Sequence, residues 1–275
     1  MALAESDFQA ISTMVRQRAA IVLEPGKEYL VESRLIPLAR AEGKETIAEL
    51  VTGLRADRTG QLLTKVVDAM TTNETLFFRD GHPFETLRTT LLPEVLEARR
   101  ASGRLDIWCG ASSSGQEPYS LAMVLNELAP RYPGVRTTLL ATDINDEMLR
   151  RTEEGRYSQL EVNRGLPIAK LVEHFDKVGT HWVAKPALRA MISTRNLNLA
   201  EPLPAFGPFD LVFLRNVLIY FDTDTKRVIL ERVRRVLRPD GYLFLGAAET
   251  TLTIDDAWER VTLGPTTAYR PKKGS

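Results

Sequence analysis

Two glycines and a carboxylate follow an apolar stretch in the segment CGASSSGQEPYS, residues 109–120. Gly110 and Gly115 have the spacing G-x-x-x-x-G, which lacks the middle glycine that lets a pyrophosphate approach a dinucleotide-binding turn. A phosphate-binding P-loop has the same spacing but continues with Lys and Ser or Thr, whereas this chain continues with Gln116 and Glu117. The missing glycine disfavours NAD. A carboxylate in place of the P-loop residues would repel a triphosphate, so nucleotide hydrolysis is disfavoured as well.

Two carboxylates instead favour a ligand with a cationic amino group and a ribose. Glu117 lies beside the turn, where its carboxylate could meet an amino group. Asp143 ends the apolar segment LLATD, where nucleoside-binding doubly wound domains place a carboxylate on the ribose hydroxyls. S-adenosylmethionine has both groups and no phosphate. Taken singly, Glu117 could simply favour a helix N-terminus and Asp143 could cap the next helix, but their joint placement favours the cofactor.

The elements that must position these residues have two different sequence patterns. Between Ser6 and about Ala69, apolar residues recur three and four positions apart, which indicates short amphipathic helices that end near Gly26 and Gly60. After Gly103, short and nearly continuous apolar strands alternate with helical stretches, as is typical of a parallel sheet covered on both faces. We therefore predict an α/β, doubly wound domain preceded by a small all-helical domain.

The domain boundaries are predicted as follows. We expect the helical domain at residues 1–75, a linker and helix at 76–102, and the doubly wound domain at 103–275. The segment at about 156–190 is long and mixed in pattern where a short crossover would suffice, so we predict an inserted, partly β subdomain there. The pattern DTKRVILERVRRVLRPDG predicts a helix that ends around Pro239 and Gly241, and the final PKKGS is expected to be unstructured.

Composition argues against several classes of partner. The 36 Lys and Arg residues balance 36 Asp and Glu residues, so we expect neither nucleic acid nor an anionic membrane surface as a partner. The single cysteine, Cys109, rules out an internal disulfide, and His82, His174 and His181 lack the spacing of metal ligands, so no metal is expected. Without a signal pattern or an apolar run near the roughly 20 residues of a membrane helix, the chain is expected in the cytoplasm, with no direct membrane insertion.

Four segments in fixed order carry a resemblance to a known family: MTTNETLFFRD, GASSSGQEPYSLAM, ATDIN and FDLVFLRNVLIYFD. Over nearly the whole chain they resemble the bacterial chemotaxis receptor glutamate O-methyltransferases, the CheR family. The resemblance implies a helical domain followed by an S-adenosylmethionine-dependent methyltransferase domain with a small β subdomain. It also implies methyl transfer to glutamate side-chain carboxylates of chemoreceptors, which gives glutamate methyl esters and S-adenosylhomocysteine for sensory adaptation. The implied partner is the cytoplasmic helical bundle of the receptors, and the enzyme would be recruited to membrane receptor arrays.

The resemblance further implies roles for matched positions. Arg79 would lie near the transferred methyl group, and Tyr220 would close the reaction site. Because glutamate, with a pKa near 4.3, is ionised at neutral pH, no general base is required, and these two residues would orient the carboxylate. The positions implied to bind the cofactor are Asn73, Thr75, Arg79, Gly110, Glu117, Asp143, Asn198, Leu199, Asn216 and Val217. Two of these, Asn198 and Leu199, would flank the adenine.

Alternatives remain for single residues and for the whole chain. Asn73 could cap a helix, Arg79 could be a surface cation, Asn198 a turn residue and Tyr220 a core aromatic. The whole chain could be a noncatalytic cofactor-sensing scaffold of a signalling array, or a small-molecule methyltransferase that uses the helical domain for another purpose. Nitrogen methylation is disfavoured because the chain has RNVLIY where such enzymes typically have an Asn or Asp, Pro, Pro, aromatic run.

Receptor recognition has two candidate surfaces. The helical domain offers Arg34, Arg40, Arg55 and Arg58, although interleaved acidic residues make ordinary solvated arginines the simpler interpretation. In some relatives the β subdomain also binds a peptide at the receptor's carboxyl terminus through a glycine-containing loop. The corresponding segment, FDKVGTHWVAKP, looks shortened, so we expect this chain to be independent of such a tethering peptide.

Overall fold

The computed structural model describes residues 3–272 and divides into two compact units. The first unit comprises the residues up to Thr72 together with Asn198–Glu201 and Tyr220–Thr225. The second comprises Asn73–Leu197, Pro202–Ile219 and the residues from Lys226 onward. Within the described range, the helices all fall short of the length and apolar character needed to span a bilayer.

The first unit is built from four amphipathic helices. In chain order they are α1 (Glu5–Ala19), α2 (Glu28–Ala41), α3 (Ile47–Ala56) and α4 (Gln61–Met70). Their apolar residues recur at helical spacing and face inward, so that Ile11 and Val15 of α1 and Leu35 of α2 are fully buried. Thr46 is the N-cap of α3, because its hydroxyl accepts a hydrogen bond from the N–H of Glu49 at 3.2 Å.

Two short segments from later in the chain also belong to the first unit. The side-chain amide of Asn198 donates to the carbonyl oxygen of Arg18 at 2.7 Å. The guanidinium of Arg18 pairs with the carboxylate of Glu201 at 2.5 Å. The end of α1 therefore holds the segment Asn198–Glu201 through one backbone contact and one ion pair.

The ten strands found among residues 3–272 all lie in the second unit. They are β1 (Arg104–Gly110), β2 (Arg136–Asp143), β3 (Arg156–Ser158), β4 (Phe175–Val178), β5 (His181–Ala184), β6 (Ile192–Asn196), β7 (Phe209–Leu214), β8 (Leu237–Leu245), β9 (Trp258–Leu263) and β10 (Thr266–Pro271). Seven of them form one sheet in the order β6-β2-β1-β7-β8-β10-β9. The first five strands of this order run parallel, and β10 and β9 are antiparallel to their neighbours.

The strand order reverses next to β1, which defines the functional edge of the sheet. The chain passes from β1 to β2 on one side, and β7 and β8 lie on the other. In doubly wound sheets, ligands bind beyond the carboxyl ends of the strands at such a switch point. The carboxyl ends of β1, β2 and β7 are Gly110, Asp143 and Leu214, so these positions mark the expected site. The predicted fold class is confirmed.

Helices connect the strands of the second unit. They are α5 (His82–Thr86), a π-helical turn (Leu87–Leu91), α6 (Leu92–Ala98), α7 (Gln116–Leu128), a 3-10 turn (Ala129–Arg131), α8 (Asp146–Glu154), α9 (Gln159–Asn163), α10 (Ile168–His174), α11 (Pro186–Arg189), a 3-10 turn (Leu218–Tyr220) and α12 (Thr223–Val236). The strands β3, β5 and β4 form a separate antiparallel sheet between α8 and α11.

The sequence interpretation needs three corrections near the C-terminus. The helix predicted to end around Pro239 and Gly241 ends at Val236, because Leu237 already pairs with Phe209 as part of β8. The strands β9 and β10 were not predicted. Of the tail expected to be unstructured, Pro271 ends β10, and residues 273–275 lie outside the described residues.

Candidate active site

The turn between β1 and α7 adopts a strained backbone. Ala111, Ser113 and Gly115 have φ angles of 53°, 50° and 96°, which lie in the left-handed region. For residues with a Cβ this conformation costs roughly 1–3 kcal/mol, and it persists only where the surroundings hold it. Here the backbone N–H of Ser112 donates to the carbonyl oxygen of Thr142, at the end of β2, at 2.9 Å. The turn is therefore fixed to the neighbouring strand.

Both glycines of the turn have packing reasons to be glycine. A Cβ at Gly110 would lie 2.9 Å from the side chain of Leu214. A Cβ at Gly115 would lie 2.8 Å from the hydroxyl oxygen of Thr152 and 2.9 Å from that of Tyr157. The glycine spacing thus reflects close packing of the turn, and contact between Gly110 and a cofactor stays a prediction.

Asp143 is buried at the carboxyl end of β2, where 6% of its surface is exposed. One carboxylate oxygen accepts the N–H of Ser113 at 2.8 Å and the other accepts the N–H of Asn145 at 2.9 Å. Burial raises the pKa of Asp143 although these backbone donors oppose the shift. The backbone N–H of Ile144 is a third donor to this carboxylate, so at least one of its roughly four lone-pair positions could accept a hydroxyl. The alternative role as a helix cap is wrong, because the N-cap of α8 is Asn145.

Glu117 lies in the first turn of α7, and its carboxylate is held from two sides. One oxygen forms an ion pair with a terminal nitrogen of Arg215, whose side chain is 1% exposed. The other accepts a hydrogen bond from the thiol of Cys109 at 3.3 Å. Sequence reasoning identified Glu117 but missed Arg215. The available signal was a charged residue directly after the buried strand β7, because a buried charge requires a partner.

Arg215 also binds the segment that carries Arg79. Its second terminal nitrogen donates to the carboxylate of Asp80 at 2.6 Å and to the carbonyl oxygen of Arg79 at 3.1 Å. Burial opposes the charge of Arg215, but the nearby Glu117 and Asp80 outweigh it and raise its pKa. We call Arg215, Glu117 and Asp80 the Arg215 cluster. One guanidinium between two carboxylates leaves this cluster with an excess of one negative charge.

The segment 73–80 packs against the glycine turn within the second unit. The carbonyl oxygen of Asn73 accepts the hydroxyl of Ser113 at 2.8 Å, and Thr75 is half-buried. The C-cap of α4 is Thr71, so Asn73 does not cap that helix. Arg79 is half-buried as a residue, and its guanidinium donates an exposed hydrogen bond to the carbonyl oxygen of Glu74 at 3.2 Å.

The loop after β7 is fixed by a carboxylate that the sequence reasoning also missed. Glu249 accepts the backbone N–H groups of Asn216 and Gly246 at 2.7 Å each, and that of Ile219 at 3.3 Å. Asn216 has a φ of 59°, and Val217 is half-buried. These contacts hold the two predicted cofactor-binding positions against the end of β8.

Of the predicted positions, eight lie in the second unit: Asn73, Thr75, Arg79, Gly110, Glu117, Asp143, Asn216 and Val217. The other three belong to the first unit. Asn198 binds the N–H of Ala200 at 3.0 Å through its side-chain oxygen, which fits a turn residue, and Leu199 is buried. Tyr220 is half-buried, and its carbonyl oxygen accepts the N–H of Val22 at 3.0 Å. The cofactor and catalytic roles of all these positions stay predictions.

The residues of the second unit fit S-adenosylmethionine. Asp143 keeps an acceptor position for a ribose hydroxyl, and the excess negative charge of the Arg215 cluster suits a cationic amino group. Within residues 3–272, no group of three or more His, Cys, Asp or Glu side chains is arranged to hold a metal ion. A doubly wound sheet with such a switch point and such a pair of carboxylates fits an S-adenosylmethionine-dependent methyltransferase.

Comparison with known proteins identifies the family. The family model described as CheR methyltransferase, SAM binding domain, matches residues 73–266, and the one described as CheR methyltransferase, all-alpha domain, matches residues 6–71. The chain belongs to the CheR methyltransferase family.

Similar proteins from three bacteria span nearly the whole chain. The chain is 43% identical to Chemotaxis protein methyltransferase 1 of Pseudomonas aeruginosa, with 99% of this chain and 100% of that protein covered. It is 40% identical to Chemotaxis protein methyltransferase Cher2 of Pseudomonas putida, again over 99% and 100%. Chemotaxis protein methyltransferase of Escherichia coli is 34% identical, over 99% of this chain and 93% of that protein.

Proposed function

We propose that this methyltransferase esterifies glutamate side chains of chemoreceptors. S-adenosylmethionine, when bound, supplies a methyl group activated by its sulfonium. A glutamate carboxylate oxygen forms a bond to the methyl carbon as the carbon–sulfur bond breaks, and the electron pair of that bond stays on sulfur. No proton is transferred, so the protein contributes position, exclusion of water and a group that orients the carboxylate.

One observation carries this proposal. Among residues 3–272, no carboxylate pairs with Arg79, whereas the neighbouring Arg215 is compensated by Glu117 and Asp80. A guanidinium that binds only a carbonyl oxygen retains donors for an incoming carboxylate. Arg79 is therefore proposed to orient the substrate glutamate. Tyr220 is proposed as a second orienting group, on the family resemblance alone.

Methyl transfer from radiolabelled S-adenosylmethionine to receptor-containing membranes tests the proposal. The label should be released by mild alkali, as a carboxyl methyl ester is, and both Arg79→Ala and Tyr220→Phe should lower the rate. Arg131→Ala is the matched control, because Arg131 is exposed after α7, far along the chain from the glycine turn. Alkali-stable label would show that the methyl group is transferred to a nitrogen atom and not to a carboxylate. Binding of the cofactor without transfer would instead support a noncatalytic scaffold.

Receptor recognition is proposed to use three of the four candidate arginines. Arg40, Arg55 and Arg58 are exposed. Arg34 instead donates to the carbonyl oxygens of Met70 and Thr71, at 2.6 and 2.9 Å, and so satisfies the end of α4. A triple substitution of the exposed arginines by glutamine should raise KM for receptors and leave cofactor affinity unchanged. An unchanged KM would show that these three arginines are ordinary solvated residues with no part in receptor recognition.

The β subdomain is proposed to act without a receptor tail peptide. The strands β4 and β5 are joined by only Gly179 and Thr180, which leaves a minimal loop. A pull-down with a peptide from a receptor's carboxyl terminus tests this, and retention of the protein on the peptide would contradict it.

A further inference from the structure

Arg215 connects two parts of the proposed site that are distant in sequence. It follows β7 directly and is almost completely buried, and Asn216 after it has a left-handed φ of 59°. From this position it reaches Glu117 in α7 and both Asp80 and the carbonyl oxygen of Arg79 in the segment 73–80. We propose that Arg215 is a positioning residue that fixes the Glu117 carboxylate and the backbone of Arg79 relative to each other. This inference rests on the proposed function of Glu117 and Arg79.

The geometry of the guanidinium supports positioning. Its two terminal nitrogens are directed to different partners, one to Glu117 and the other to Asp80 and Arg79. Its Nε has no acceptor among residues 3–272, so the terminal nitrogens set the orientation of the group. Because a planar guanidinium is rigid, a displacement at either partner must move the other.

The charge balance supports the same inference. The Arg215 cluster carries one excess negative charge, which favours a cationic amino group beside Glu117. Without Arg215, the Glu117 carboxylate would lose its ion pair and the donor that orients it. The amino group would then meet a displaced partner, while the adenosine end of the ligand would still meet Asp143.

This difference between the two ends of the ligand provides the test. Calorimetry should compare S-adenosylhomocysteine with 5′-methylthioadenosine, which shares the adenosine and the thioether but lacks the amino acid part. We expect Arg215→Gln to lower the affinity for S-adenosylhomocysteine about tenfold or more. The affinity for 5′-methylthioadenosine should fall less than about twofold. Arg215→Lys, which keeps the charge but not the fork, should fall between. Equal weakening of both ligands, or of neither, would overturn the proposal.

Arg99 offers a matched control. Its guanidinium also lies between two carboxylates, Asp210 and Asp240, and its side chain is 13% exposed. Asp210 is near the start of β7, whereas Arg215 follows the end of that strand. Arg99→Gln should lower thermal stability and leave the affinity ratio of the two ligands unchanged.

Two further variants separate the possible failures. Asp80→Asn removes one of the two carboxylate partners of Arg215. Because the Asp80 side chain is 33% exposed, this variant tests the link to Arg79 even if Arg215→Gln does not fold. It should lower kcat without changing the affinity for 5′-methylthioadenosine, and an unchanged kcat would contradict the proposal. If Glu117→Ala itself shows no selective loss of S-adenosylhomocysteine, the proposed role of Glu117 is wrong. If it does and Arg215→Gln does not, only the role of Arg215 is wrong.

Discussion

The backbone N–H of Val22 donates to the carbonyl oxygen of Tyr220 at 3.0 Å, within the first unit. Val22 lies in the connection between α1 and α2, so a residue of the helical region holds the backbone of a predicted catalytic residue. The nearby contact between Asn198 and the carbonyl oxygen of Arg18 repeats this arrangement for a predicted adenine neighbour. The connection after α1 and the end of that helix therefore hold two residues whose roles in cofactor binding and catalysis stay predictions.

Substitution of Val22 tests this support. Val22→Pro removes the N–H donor, and the loss of one hydrogen bond of about 0.5–1.5 kcal/mol should lower kcat about two- to tenfold. Val22→Ala keeps the N–H and is the matched control. Steady-state methyl transfer measures both variants, and equal kcat values would show that the hydrogen bond does not matter for catalysis.

Crowding at Gly115 predicts a specific loss of stability. Gly115→Ala adds a Cβ at 2.8 Å from Thr152 and 2.9 Å from Tyr157, in addition to the cost of a φ of 96°. Gly134→Ala is the matched control, because its φ is 108° and nothing lies within 4 Å of the added Cβ. Chemical denaturation should show that Gly115→Ala loses about 1–3 kcal/mol more than Gly134→Ala. Equal losses would assign the whole effect to backbone strain.

The pKa of Asp143 predicts how cofactor affinity depends on pH. Burial raises this pKa above the ordinary 3.8, and the ionised form is the one that we expect to accept the ribose hydroxyls. Affinity for S-adenosylhomocysteine should therefore fall as the pH is lowered, beginning above 3.8. The stability of the folded state depends on pH in the opposite direction. Because the Asp143 carboxyl binds its proton more tightly in the folded state than in the unfolded state, stability falls as the pH rises through the raised pKa.

Calorimetry across the acidic range measures this dependence. Asp143→Asn should bind weakly, and its affinity should not change with pH. A pH dependence that is retained in Asp143→Asn would assign it to another group.

His174 predicts a pH dependence of stability in the β subdomain. It is buried with 6% of its surface exposed, and burial lowers its pKa below 6.5, assisted by Lys170 and Lys185. Below that value the unfolded chain binds more protons than the folded chain. Stability is therefore lost as the pH falls from 6.5 toward the lowered pKa.

Thermal denaturation at neutral and acidic pH checks this sign. His174→Gln should reduce the difference between the two melting temperatures, whereas His82→Gln, at an exposed position, should retain it. An unchanged difference in His174→Gln would exclude His174 as its source.

The parallel part of the fold could be predicted because its sequence signals are local. The strands β1, β2 and β7 each contain a short apolar run, which is typical of buried parallel strands, and β1 and β2 end at a glycine and a carboxylate. The strand β9 carries Glu259 and Arg260 and is mostly exposed, so it has no comparable run. Pro239 and Gly241 are residues that commonly follow a helix, so they were interpreted as its end. In the structure they belong to the irregular first part of β8.

The site was predictable for single residues but not for their pairing. Glu117 and Asp143 stand beside recognisable turns, so their position along the chain was enough to propose their roles. Arg215 and Glu249 act on residues that are distant in sequence, and no local spacing reports such contacts. Their identification required the three-dimensional arrangement of the strand ends.

The thiol of Cys109 reports on the integrity of this arrangement. It is the chain's one cysteine, it is fully buried at the end of β1, and its hydrogen bond goes to Glu117. Burial raises its pKa well above the ordinary value, so the folded protein presents almost no thiolate. Alkylating reagents can therefore modify it only when the strand end opens. The rate at which Cys109 is alkylated therefore measures how often the site opens. A bound ligand should lower this rate.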